Sequence, residues 1–223
     1  MAGKLAAGRP DPADATRGAL TLGSVTVRLA VPGLVVLIGA AGSGKSTLVA
    51  RLFSATDILS SDALRAAISG DAADQRATRP AFAILHGETR RRLAQGRLVI
   101  VDATSTELSA RRSLLRIARA AGVPATAIVI AASPADVHVR NARRAGRVVP
   151  VEVVDRHLAG LARLGATPGD IAGSLRAEGF AAAHVLASDE EIDATRVVLS
   201  ADQPSRTRPN ARARSSTQTP FRR

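Results

Sequence analysis

Cysteine is absent from this 223-residue chain, which excludes disulfides, cysteine-ligated zinc, iron–sulfur clusters and thiol catalysis. Tryptophan and tyrosine are also absent and phenylalanine occurs only four times. A groove that grips nucleic acid by stacking bases on aromatic rings therefore has few platforms, and any such contact must run mainly through phosphates. Lysine is almost missing too: of the 31 basic residues only Lys4 and Lys45 are lysine. No clean apolar run reaches the roughly 20 residues of a membrane helix, because Arg28, Pro32 and Gly33 break the stretch from Leu20 to Ile38. Residues 1–20 lack the apolar centre of a signal peptide. A cytoplasmic protein without a membrane span is the expectation.

What is present is a globular composition, 46% hydrophobic and 22% charged, at a length that suits one domain with a sizeable core. The net charge of +12 points to polyanionic partners. Arg206, Arg208, Arg212, Arg214, Arg222 and Arg223 follow Asp202 without an acidic residue among them. The expected organisation is a loose arm over 1–20, one domain over 21–202 and a disordered basic tail over 203–223. That tail either contacts nucleic acid or is inert.

Val25, Val27 and Leu29 alternate with polar neighbours, as in a half-buried strand, while Leu34 to Ile38 is continuously apolar, as in a strand covered on both faces. Further strands are expected over Asp57–Ser60, Leu98–Val101, Thr126–Ala131 and His184–Leu186. Phe82, Leu85 and Leu93 share a helical face after Pro80. Leu108, Leu114, Leu115 and Ala118 share another, introduced by a Thr104-x-x-Glu107 capping box. Ser133-Pro134-Ala135-Asp136 and Thr167-Pro168-Gly169-Asp170 are helix starts with a capping hydroxyl, an early proline and an acid in the first turn. Strands alternating with helices give an α/β fold: a parallel central sheet with helices on both faces.

The strongest signal is Gly39-Ala40-Ala41-Gly42-Ser43-Gly44-Lys45-Ser46-Thr47, a complete P-loop pattern between a buried strand and a helix. There backbone N–H groups and the helix dipole converge on anionic oxygens, glycine lets the backbone approach, Lys45 adds a cation and Ser46 can complete the coordination of Mg²⁺. These nine residues are the expected nucleotide cradle.

Phosphoryl transfer needs further parts. Ser60-Ser61-Asp62 stands where a parallel strand ends, the same sheet edge as the cradle, so Asp62 can take a proton from an acceptor hydroxyl. Arg65, one helical turn on, can bind a phosphate on the acceptor side; alternatively Asp62 caps the helix and Arg65 is its exposed partner. Leu98-Val99-Ile100-Val101-Asp102 is an apolar strand ending in an acid that can hold Mg²⁺, directly or through water, or can merely cap the turn beyond. Arg140, Arg144 and Arg147 form one stripe if the helix from Pro134 continues, giving either an arginine lid over the ATP phosphates or a solvated basic face. His86, His138, His157 and His184 are too scattered to form a metal set.

Taken together, Leu34–Gly39, Gly42–Thr47, Ser60-Ser61-Asp62-x-x-Arg65, Ala81-Phe82 with Leu85-His86, Val101-Asp102-Ala103-Thr104, Arg140-Asn141 with Arg144 and Arg147, and Glu178-Gly179-Phe180 resemble the kinase domain of bacterial polynucleotide kinase-phosphatase RNA-repair proteins, over about Leu34 to Ala187. That resemblance implies a P-loop NTPase kinase fold with an arginine-bearing lid, and transfer of the ATP γ-phosphate to a nucleic-acid 5′-hydroxyl. Lys45 and Ser46 would hold phosphate and Mg²⁺, Asp62 would be the general base, Arg65 would grip the phosphate beside the acceptor nucleoside, and Arg140 and Arg144 would form the lid, with Arg147 a further candidate. Two departures stand out: Gly70-Asp71-Ala72-Ala73-Asp74-Gln75 replaces a denser acidic run, and Ser105 stands where the family has asparagine. The competing readings are a small-molecule kinase of the same architecture and a non-catalytic ATP-binding regulatory module.

Overall fold

The computed structural model describes residues 25–72, 74–144 and 148–201. The arm over 1–20, the tail over 203–223 and Arg147 lie outside the described residues. Seven strands are found among them: β1 (Thr26–Val31), β2 (Gly33–Ile38), β3 (Ile58–Ser60), β4 (Leu98–Asp102), β5 (Ala125–Ile130), β6 (Ala182–Leu186) and β7 (Arg196–Ala201). The helices are α1 (Lys45–Leu52), α2 (Ser61–Ser69), α3 (Thr78–Ala94), α4 (Leu108–Ala121), α5 (Pro134–Ala142), α6 (Val151–Ala162), α7 (Pro168–Glu178) and α8 (Asp189–Ala194).

Five strands make one parallel sheet in the order β3-β4-β2-β5-β6. All six residues of β2 are buried, which is why that segment must be apolar throughout. Its side chains alternate between two cores: Leu34, Val36 and Ile38 meet α3, α4 and α7 on one face, while Val35 and Leu37 meet α1, β1 and the Leu186 end of β6 on the other. Fully burying each of these side chains contributes about 1.5–3 kcal/mol. A third cluster of Ala40, Ala41, Val137, Val149 and Val154 packs α5 and α6 onto the loop after β2.

β1 buries Val27 and Leu29 and exposes Thr26 and Arg28, as the alternation in the sequence requires. It pairs with β7 in a separate parallel two-stranded sheet. Nothing in the sequence signalled β7, since most of its residues are exposed and its stability comes from pairing with a segment about 170 positions away. α6 was likewise unforeseen, although Pro150 followed by Val151, Val154 and Leu161 is a helix start with an apolar face.

The capping hydroxyls of α5 and α7 are as expected: Ser133 accepts from the Asp136 amide, and Thr167 and Asp170 form a reciprocal capping box. The box expected at Thr104 and Glu107 does not form. Glu107 sits at the N-cap position without a side-chain bond, and the Thr104 carbonyl accepts from the Gly39 amide at 3.0 Å instead. α3 begins at Thr78, ahead of Pro80; proline is tolerated there because first-turn amides have no intrahelical partner. α5 stops at Ala142, so Arg140 and Arg144 do not share one continuous helix.

Candidate active site

In a parallel sheet the loops that leave the carboxyl ends of the strands gather at one edge. Here the loop after β2 carries the P-loop pattern, β3 leads into Ser61 and Asp62, and β4 ends on Asp102. Ser60 and Asp102 are register partners, so strand pairing itself sets Asp102 beside the start of α2. Between these loops and α5 lies a cleft of about 480 Å³. Ala41, Gly42, Gly44, Lys45, Ser46 and Thr47 form its floor, and Asp62, Arg65, Asp102, Arg140 and Arg144 line it too. Gly39, Ala40 and Ser43 do not reach the cleft. They are buried behind it.

Two glycines show why the loop has its sequence. Gly42 has φ +87°, and a Cβ there would come within 2.8 Å of the Val137 carbonyl oxygen of α5. Gly44 caps α1 at φ +101° with open space where a side chain would stand. Left-handed backbone turns the amides at the helix start toward the cleft, a cradle for phosphate oxygens. Lys45 is folded back over it, donating to the carbonyls of Gly39 at 2.9 Å and Ala40 at 2.7 Å. Burial of its ammonium pulls the pKa down to about 8, against the opposing pull of Asp102 and Asp62.

Ser46 donates its hydroxyl hydrogen to Asp102 at 2.8 Å. Asp102 is 7% exposed, and burial raises its pKa while the Ser46 hydrogen bond and the Lys45 charge lower it. This hydroxyl–carboxylate pair fits Mg²⁺: both donors are hard oxygens, and among the described residues no cluster of three or more acidic or histidine side chains could cage a metal alone. An ion with so few protein ligands keeps water and phosphate oxygens in its shell, as Mg²⁺ prefers. Asp102→Asn is expected to raise the Mg²⁺ concentration needed for half-maximal activity by about 10–100-fold, read from a metal titration at saturating nucleotide.

Asp62 is not the N-cap of α2; Ser60 takes that role by accepting from Ala63. Asp62 accepts instead from Arg65. Arg65 is buried rather than an exposed partner, 7% accessible, and its Nε donates to the Ala72 carbonyl at 2.8 Å. The carboxylate is thus held in the cleft wall with part of its surface open, near enough to influence Lys45 and Asp102.

The arginine element is built differently from the sequence expectation. Asn141, almost wholly buried, donates to the Val149 carbonyl at 2.7 Å and accepts from the Val149 amide at 3.1 Å. These bonds clamp the ends of the segment that carries Arg143 and Arg144, so a loop presents Arg144 to the cleft. Arg140 reaches the cleft from α5 and is also engaged by Asp189 of α8 at 2.6 and 2.8 Å. Thr78, Phe82, Val149, Val153 and His157 complete the wall; Phe82 was legible as helical but nothing marked it as a cleft residue. His138 meets Asp155 at 3.0 Å and joins α5 to α6. Ser105, at φ +47°, occupies the left-handed region that asparagine tolerates better.

A family model described as AAA domain matches residues 34–164. No curated protein matches the chain. Among solved structures, a putative kinase from Chloroflexus aurantiacus is 17% identical with a TM-score of 0.50, covering 70% of this chain and 88% of that one. The Pnkp1/Rnl/Hen1 RNA repair complex contains a chain 22% identical with a TM-score of 0.52, covering 60% of this chain and 45% of that one. A protein of the PezAT toxin–antitoxin system of Streptococcus pneumoniae is 13% identical with a TM-score of 0.52, covering 75% and 71%. These likenesses establish the α/β fold with a parallel central sheet flanked by helices. No helix among the described residues is long and apolar enough to cross a membrane.

Proposed function

The chain belongs to the AAA domain family, whose model spans residues 34–164, and on that premise we propose that it is an ATP-dependent phosphotransferase whose acceptor is the 5′-hydroxyl of a polynucleotide. The observation that carries the reading is the placement of Asp62, paired with Arg65, in the same cleft as Lys45 and the P-loop amides.

Gly42, Gly44 and the amides at the start of α1 receive the β and γ phosphates of ATP, and Lys45 swings its ammonium from the Gly39 and Ala40 carbonyls onto them. Ser46 and Asp102 would hold Mg²⁺, which when bound offsets the charge on the phosphate oxygens. Asp62 accepts the proton of the incoming hydroxyl as its oxygen attacks the γ-phosphorus, and the β–γ bridging oxygen leaves with ADP. Arg65 fixes that carboxylate and offers its guanidinium to an acceptor-side phosphate. Arg140 and Arg144 bring cations to the phosphoryl group in transfer, the role for which planar guanidinium suits best.

A polynucleotide acceptor is supported by the phosphate-seeking arginine beside Asp62, by the net charge of +12 and by the motif series shared with RNA-repair kinases. The fold likeness to a chain of an RNA repair complex agrees with it. The experiment offers γ-labelled ATP and Mg²⁺ with a 5′-hydroxyl oligonucleotide, sugars and small alcohols side by side. Label is expected on the oligonucleotide in preference to every small acceptor. Preferential label on a sugar or small alcohol would replace this acceptor with that one, and ATP binding without any transfer would leave a regulatory module.

A further inference from the structure

One strongly charged face is unused by the proposed reaction, and it begins inside the cleft. On α3, Thr78, Phe82, His86 and Arg90 recur at every fourth residue and form a single row along the helix. Thr78 and Phe82 line the cleft. Phe82 meets His86 edge to face with ring centroids 6.0 Å apart, and Arg90 is exposed at the far end. At 1.5 Å per residue the row is about 18 Å long.

α4 packs beside α3 on the same face of the sheet. Both helices return from the carboxyl edge to the amino edge, since each feeds the next parallel strand. The inner side of α4 is Leu114, Leu115, Ile117 and Ala118, while Arg112 and Arg116, one turn apart, are exposed. Burial lowers the pKa of His86, and the positive charges of Arg90 on α3 and Arg116 on α4 lower it further. The Nε2 of His86 finds no hydrogen-bond partner among the described residues.

Neither α3 nor α4 offers a free acid to offset this positive face. α4 contains no acidic residue, and Glu88, the sole acid of α3, is held by Arg91 and Arg92. None of the ion pairs among the described residues involves Arg90, Arg112 or Arg116. Uncompensated like charges in a row repel one another, and phosphates spaced along a strand relieve that repulsion.

We propose that the α3–α4 face is the docking track for the single strand that follows the acceptor 5′-hydroxyl, with Arg90, Arg112 and Arg116 on its phosphates. The proposal rests on the reading of the cleft as a 5′-hydroxyl kinase. The row accommodates about five nucleotides at the 3.4 Å spacing of a stacked strand. Phosphate contacts of this kind carry no sequence preference, and the scarcity of aromatic rings in the chain fits a track that reads charge.

The test uses the full chain and the triple variant Arg90→Gln/Arg112→Gln/Arg116→Gln, whose positions are exposed and outside the cleft. KM and kcat are measured for 5′-hydroxyl single strands from two to about ten nucleotides, and affinity for the 5′-phosphorylated strands is measured against salt. In the wild type KM should fall with length and level off near about six nucleotides. In the variant that length dependence should vanish, with kcat, ATP affinity and the dinucleotide KM unchanged. The slope of log K against log salt should shrink by about 2, three contacts at roughly 0.7 each, and lysine at the same three positions should restore it. A variant whose length profile coincides with the wild type overturns the track while leaving the kinase reading intact. If neither protein phosphorylates any strand, the kinase reading fails, and the salt slope alone decides: a slope reduced by about 2 upholds the face as a strand-binding surface, and an unchanged slope overturns it.

Discussion

Asp62→Asn should lower the rate of phosphoryl transfer by about 10²–10⁴-fold, the usual contribution of a positioned general base, while ATP affinity stays close to the wild-type value. The separation of the two effects follows from where the residues sit. In the proposed reaction Lys45, Ser46 and the P-loop amides hold the nucleotide, and Asp62 lines the same cleft from α2, a different element on a different strand end. Asparagine is the cleaner substitution because, although it removes the negative charge, it keeps one oxygen that can accept from the buried Arg65 guanidinium. Alanine should abolish transfer as well, with an added loss of stability because the buried guanidinium also loses that hydrogen-bond acceptor. The measurement is a steady-state transfer assay beside an equilibrium titration with a non-hydrolysable ATP analogue. Loss of both properties in D62N would place Asp62 in the nucleotide site, and loss of neither would remove it from the reaction.

Lys45→Met should damage both binding and transfer. Methionine keeps the stem but loses the only ammonium among the described residues of the cleft, so the phosphates forfeit charge-assisted hydrogen bonds of about 1.5–3 kcal/mol, an affinity loss of roughly 10–100-fold. The same residue gives the wild type a pH signature. In the free protein Lys45 has a pKa of about 8 because its ammonium is buried; the charged form that attracts phosphate is populated below that value and lost above it. ATP affinity should therefore weaken as pH rises through 8, well before an ordinary lysine with its pKa of 10.5 would begin to deprotonate. In K45M the nucleotide affinity should be flat over the same window. A wild-type profile that stays level until pH 10 would show that the ammonium is far better stabilised than its bonds to the Gly39 and Ala40 carbonyls imply.

Much of this arrangement was legible in the sequence because its causes are local. The P-loop between an apolar strand and a helix needs glycine at left-handed positions and a lysine at the helix start, and Gly42, Gly44 and Lys45 stand where those demands fall. Leu34–Ile38 had to be a central strand because no face of it tolerates water. Asp102 ends a second apolar strand that pairs with β2, and there Ser46, at the start of the helix that follows β2, donates to it. What escaped was set by long-range pairing. β7 exists because β1 offers it an edge, and α5 ends at Ala142 because Asn141 bonds to Val149 eight residues later, which no helical periodicity could announce. That clamp replaces the anticipated helical stripe with a loop carrying Arg144. Arg65 was recognisable by its spacing from Asp62, but its burial depends on the Ala72 carbonyl that receives its Nε.

The dual use of Arg140 also follows from tertiary structure. Asp189 of α8 binds its guanidinium, so α8, an acidic helix that follows β6 and is remote in sequence, helps to hold that cation in place.

The proposed arrangement sets the terminal phosphoryl group of bound ATP against a hydroxyl activated by Asp62. It is tested most directly by loading wild-type protein and D62N with equimolar Mg²⁺ and γ-labelled ATP, adding a 5′-hydroxyl oligonucleotide, and following the label through a single turnover. In the wild type the label should move from ATP to the 5′ end of the strand, with ADP formed in equal amount, while in D62N it should remain as bound ATP over the same interval. Label appearing as inorganic phosphate at equal rates in both proteins, with none on the strand, would contradict the account.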